Sequence, residues 1–124
     1  MPIIKSCEAP RFDFHGVVFT GGASPSRGAR ENCVWRTSIA PSTPATPHTL
    51  DREETFIVTA GRGHATVDGD IHDLVPGDVL VVPADTELAL ANPYSEPFEA
   101  IVVFPVGGRA RLPSGDAFVP PWAT

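Results

Sequence analysis

A chain of 124 residues with 42% apolar and 19% charged side chains has room for one hydrophobic core but not for two. Fourteen prolines and eleven glycines exclude long helices and favour short strands joined by tight turns. A formal charge of −6 repels nucleic acid and anionic membrane. With no apolar run long enough to span a bilayer and no charged-then-apolar leader after Met1, the expectation is a cytoplasmic protein with neither nucleic acid nor membrane as partner.

In chain order, Phe12, Phe14 and Val17 to Phe19 predict one or two short strands around Gly16. Gly21 to Arg30 is a loop of small residues. It lacks the Gly-Lys-Ser/Thr ending of a phosphate cradle and reads as surface, with a cavity lid as the alternative. Cys33 to Ala40 predicts a strand, and the three prolines of Pro41 to Pro47 an extended connector. Thr55 to Ala60 is the next strand, closed by Gly61 and Gly63. His64 to Val67 and Ile71 to Val75 flank Asp68 and Gly69, a pair suited to a hairpin turn. Pro76 to Asp78 turns into the run Val79 to Val82, and Leu88 to Asn92 and Ala100 to Phe104 supply the last strands. Strands spaced about 8–12 residues apart predict an all-β sandwich or barrel. The segment Phe118 to Trp122, with two prolines, reads as extended chain laid across the barrel or a neighbouring subunit, its Trp exposed. Cys7 and Cys33 form no CxxC pair and read as two small buried or half-buried thiols, with a disulfide as the alternative.

Two segments, Pro47 to Gly61 and Gly77 to Asn92, carry the sequence's most specific pattern. In the first, His48, Glu54 and Gly61 stand at the spacing of a Gly-x5-His-x-His-x3–4-Glu-x6-Gly motif, with Ser42 in place of the opening Gly and Leu50 in place of the second His. In the second, Gly77, Pro83 and Asn92 fit Gly-x5-Pro-x-Gly-x2-His-x3-Asn, with Asp85 replacing the Gly and Leu88 the His. Together these resemble the two motifs of the cupin superfamily over about residues 34–106. The resemblance implies an all-β cupin fold, a double-stranded β-helix or jelly-roll barrel of two antiparallel sheets. The whole chain, 1–124, would form one such domain of the small bacterial kind, with N-terminal strands in 1–33 and an extended tail in 107–124. It also implies a homodimer.

Side chains two apart on a strand share a face, so His48 and Leu50 should both point into the barrel, where the family's Glu54 and Leu88 positions converge. A transition metal usually needs three or more protein ligands, and His48 and Glu54 make two, so neither metal nor other cofactor is expected. His15, His64 and His72 read first as surface or partly buried histidines, with rescue of a metal site as the alternative.

A carboxyl walled by Leu50, Leu88 and Phe56 favours its neutral form, and beside His48 it would share a proton as an acid/base pair. His48 and Glu54 are therefore the candidate catalytic residues, and Leu50, Phe56, Leu88, Asn92 and Trp35 the candidate ligand contacts. Asn92 alternatively ties down the turn at Pro93, and Trp35 alternatively packs in the core. The expected activity is metal-independent proton transfer on a small apolar metabolite: isomerisation, cyclisation or elimination. The alternatives are a non-catalytic small-molecule binder or sensor, and a dioxygenase-like metal enzyme with unusual ligands. The bland reading of His48 and Glu54 is a buried hydrogen bond between them.

Overall fold

The computed structural model describes all residues, Met1–Thr124. Its strands are β1 (Arg11–Phe14), β2 (Val17–Gly21), β3 (Asn32–Ile39), β4 (Thr49–Leu50), β5 (Glu54–Ala60), β6 (Gly63–Val67), β7 (Asp70–Leu74), β8 (Val79–Val82), β9 (Leu88–Ala91), β10 (Phe98–Pro105) and β11 (Ala110–Arg111). Every pairing is antiparallel. One sheet runs β1-β2-β3-β10-β5-β8 and another β7-β6-β9. Reciprocal hydrogen bonds between His48 and Leu88 (2.9 Å each way) tie β9 to the strand that contains β4. The pair β4-β11 and the Ala110–Phe118 bridge then carry the second layer on to the tail. The two layers make the jelly-roll barrel.

Alternation decides what fills the barrel. On β3 the buried residues are Cys33, Trp35, Thr37 and Ile39, and on β10 they are Phe98, Ala100, Val102 and Phe104. On β5 the same rule turns Glu54, Phe56 and Val58 inward, so period two delivers a carboxyl group to the core. Two hairpins close with two-residue turns at positive φ, His15–Gly16 (50° and 84°) and Asp68–Gly69 (48° and 86°), which match the twist of the flanking strands. Gly21 to Arg30 packs against the C-terminal residues, with Ser26 Oγ donating to the Thr124 carbonyl at 2.7 Å and Arg27 Nη2 to that of Trp122 at 3.3 Å.

Two expectations need correction. Trp122 is not exposed: its indole stacks on Phe19 with centroids 3.6 Å apart and planes 3° from parallel, burying apolar area on both rings. Cys7 is exposed, because it lies in the short 3-10 turn Ser6–Glu8, outside the core. Both cysteines are free thiols, and burial raises the pKa of Cys33 against the opposing pull of Arg27.

Candidate functional site

Between the layers lies a cavity of about 120 Å³, and twelve of the nineteen residues around it are hydrophobic, which makes it a place for an apolar body. The large sheet contributes Trp35, Thr37, Ile39, Glu54 and Phe56. The β1–β2 hairpin contributes Phe14, His15, Val17 and Phe19, and the facing layer His48, Leu50 and Leu90. Phe118, Pro120 and Trp122 of the tail complete the wall.

Glu54 is 4% exposed, and its Oε1 has no hydrogen-bond partner in the protein. Removal from water raises its pKa to about 8, so the carboxyl is mostly protonated at neutral pH. His48 is shifted the other way: burial lowers its pKa, opposed by its bond to the Thr46 carbonyl. That bond, 3.0 Å from Nδ1, needs a donor because a carbonyl only accepts. The neutral ring therefore carries its proton on Nδ1 and leaves Nε2 basic. The site holds a neutral acid and a neutral base, the state in which each can act. No hydrogen bond joins them, which corrects both the shared proton and the bland paired reading. His48 is committed to Thr46, and Glu54 stands alone.

Leu50, Phe56 and Trp35 line the cavity, and Trp35 also packs in the core. Leu88 is placed differently. It is 0% exposed and lies in the core cluster rather than on the cavity wall, where Leu90 takes its place. Asn92 also leaves the ligand contacts. Its Nδ2 donates to the carbonyls of Ile39 (2.9 Å) and Glu96 (2.7 Å), and its Oδ1 accepts from the Tyr94 amide (3.0 Å). With both donors and the acceptor engaged, Asn92 fastens the turn around Pro93. Sequence reasoning missed His15, Leu90 and the tail as cavity walls. The signal for His15 was the His15–Gly16 turn, which sets it at a hairpin tip; no local signal placed the tail.

A family model described as Cupin domain matches residues 35–104. The chain belongs to the cupin family. The barrel superposes on the polyketide cyclase RemF from Streptomyces resistomycificus with a TM-score of 0.81 at 14% identity, covering 94% of this chain and 87% of that one. A sugar phosphate isomerase of the cupin superfamily from Silicibacter pomeroyi DSS-3 gives 0.71 at 20% identity, covering 93% and 83%. The DMSP lyase DddQ from Ruegeria pomeroyi DSS-3 gives 0.64 at 22%, covering 71% and 47%. At these identities the likeness carries the fold alone. No curated protein matches the sequence.

The metal that cupin motifs usually serve does not fit this donor set. The four motif positions supply one imidazole, one carboxyl and two leucines, and no three His, Cys, Asp or Glu residues come together anywhere in the protein. His15 lines the same cavity but forms no such group with His48 and Glu54. His72 lies exposed on β7. His64 joins a polar cluster on the outside, 3.2 Å from the Tyr94 hydroxyl and 3.7 Å from Asp73. There Arg62 Nε donates to both Asp73 oxygens (3.1 and 2.9 Å), and its guanidinium lies 4.5 Å from the Tyr94 ring centre.

Proposed function

We propose that this cupin is a metal-independent enzyme that moves protons on a small apolar molecule, in an isomerisation, cyclisation or elimination. The observation that carries the reading is Glu54, a buried carboxyl with no partner on the wall of an apolar cavity that also holds a basic imidazole nitrogen. For a carbonyl substrate, His48 Nε2 takes a proton from the carbon beside the carbonyl. The freed C–H electron pair becomes a C=C bond, and the carbonyl oxygen takes the Glu54 proton. Imidazolium and carboxylate then remain; where the enol is conjugated with a second C=C bond, the imidazolium returns its proton at the far carbon while the enol O–H gives its proton back to Glu54, which re-forms the carbonyl and restores both groups. The apolar walls strengthen both charges' interaction with the intermediate by excluding water. Barrels similar to this one are described as a cyclase, an isomerase and a lyase, which supports reactions of this range on the fold.

Proton NMR in deuterated water tests the proposal through exchange of the protons beside the carbonyl in a panel of small neutral ketones. Exchange catalysed by the native protein, surviving dialysis against a chelator and lost in folded His48→Ala and Glu54→Gln variants, supports it. Exchange equal in native and variant proteins sinks the assignment. A binding or sensing module is the second reading, favoured by the missing hydrogen bond between His48 and Glu54. Ligand affinity without turnover in any panel member decides for it. Pairing of two copies belongs to the same proposal, and light scattering on the eluted protein checks it.

A further inference from the structure

Four side-chain polar atoms are sealed from water without a hydrogen-bond partner in the protein: Trp35 Nε1, Thr37 Oγ1, Glu54 Oε1 and Trp122 Nε1. All four belong to residues lining the same cavity. Buried polar groups are almost always paired, and each exception calls for an explanation. Here every exception gathers around one space. The sheet that carries Trp35, Thr37 and Glu54 cannot satisfy them, because β10, which lies between β3 and β5, presents Ala100, Val102 and Phe104 to the interior.

The kind of atom to which all four groups can donate defines their missing partner. An indole N–H only donates, so Trp35 and Trp122 each need an acceptor. A threonine hydroxyl and a protonated carboxyl can donate to the same kind of atom. None of the four residues brings a positive charge to hold an anion, and a cation would face two indole donors. The walls around them reward an apolar body. A cavity of about 120 Å³ is close to the ~150 Å³ space that takes a benzene molecule, so the body is about one substituted ring.

We propose that the cavity binds a neutral, ring-sized apolar molecule carrying a carbonyl or similar acceptor oxygen, received by donors from Trp35, Thr37 and Trp122 beside Glu54. The proposal rests on the reading of this cavity as the working site and names the class of molecule it takes.

The chain's only two tryptophans both line the cavity, so nitrogen-15 labelled protein shows two indole N–H signals, each reporting on it. Acetophenone is titrated against α-methylstyrene, which has the same skeleton with CH2 in place of the oxygen, and against 1-phenylethylammonium. The expected result is an indole N–H signal moving downfield with acetophenone, and affinity for it about tenfold or more above that for α-methylstyrene, as for one buried donor gaining its partner. Thr37→Val, nearly isosteric, should shrink that ratio while α-methylstyrene still binds, and Trp35→Phe should do the same if its core position tolerates the change. Equal affinities, motionless indole signals, a preference for the ammonium or failure of all three to bind would each overturn the proposal. The two readings part cleanly. Preference for the ketone without proton exchange upholds the ligand class and removes the acid/base role; exchange without that preference does the reverse.

Discussion

The barrel holds two histidine–carboxylate sites, and they differ in every physical respect. On the outer surface Asp73 is exposed, doubly bonded to Arg62 and near His64, and these bonds lower its pKa, Arg62's hydrogen bond most of all. Inside, Glu54 is buried with no hydrogen-bond partner in the protein for its Oε1, and burial alone raises its pKa to about 8. One acid is held charged by what touches it and the other neutral by what does not. Residue type therefore says little about role here. The number of partners and the access of water decide whether a carboxyl is a surface clasp or a proton donor.

The largest expected contrast is in activity. If the inner site is the working one, Glu54→Gln should slow proton exchange by about 10²–10⁴-fold, while Asp73→Asn leaves the rate unchanged. Equal losses from the two substitutions would erase the distinction. Stability should separate them next. Between about pH 4.5, the ordinary value for glutamate, and about 8, the folded protein holds a Glu54 proton that the unfolded chain has released. Stability must then fall as pH rises through that window, by about 1.4 kcal/mol per unit, and level off above it. Urea unfolding from pH 5 to 9 measures the slope, and Glu54→Gln should flatten it; parallel curves for native and variant protein would show that Glu54 ionises normally.

A finer contrast is the pH dependence of the reaction itself. With His48 required as base and Glu54 as acid, the rate should rise through a pKa below 6.5 and fall through one near 8. A profile with its alkaline limb absent would remove Glu54 as the proton donor. The smallest effect belongs to the outer cluster. Asp73→Asn or added salt should leave the melting temperature within experimental scatter, since exposed ion pairs contribute little.

The fold was legible because its two strongest signals, strand alternation and the paired motifs, are local. The motifs' departures divide into two kinds once the backbone is visible. Ser42 and Asp85, which replace glycines, keep left-handed backbone with φ of 62° and 60°, so the turns survive the loss of glycine. Gly61 had no such latitude: a Cβ there would sit 2.0 Å from the Pro97 carbonyl oxygen. Leu50 and Leu88 replace ligands and change the chemistry instead. The inward direction of Glu54 came from the cupin resemblance, and alternation along β5 accounts for it; the depth of Leu88 did not follow from either, because a shared face is not a distance from the cavity. For Asn92 the alternative role, holding the turn at Pro93, is the one found, and local pattern could not choose it over a ligand contact. The three bonds of Asn92 reach Ile39, Tyr94 and Glu96, and the most distant partner lies 53 residues away. Trp122 against Phe19 is a contact across most of the chain, and composition carries no record of it.

The wall made by Trp122 also sets an order of events during synthesis. Phe14 and Trp122 border the same space, so it has no complete boundary until the segment from Phe14 to Trp122 has been made. Long-range closure of this kind is also slow to form. A ligand of the proposed kind would thus meet a finished container rather than template the early strands. With a ligand of the proposed kind, its contribution to stability would need residues 118–122 docked, which would make occupancy a brake on unfolding more than a spur to folding.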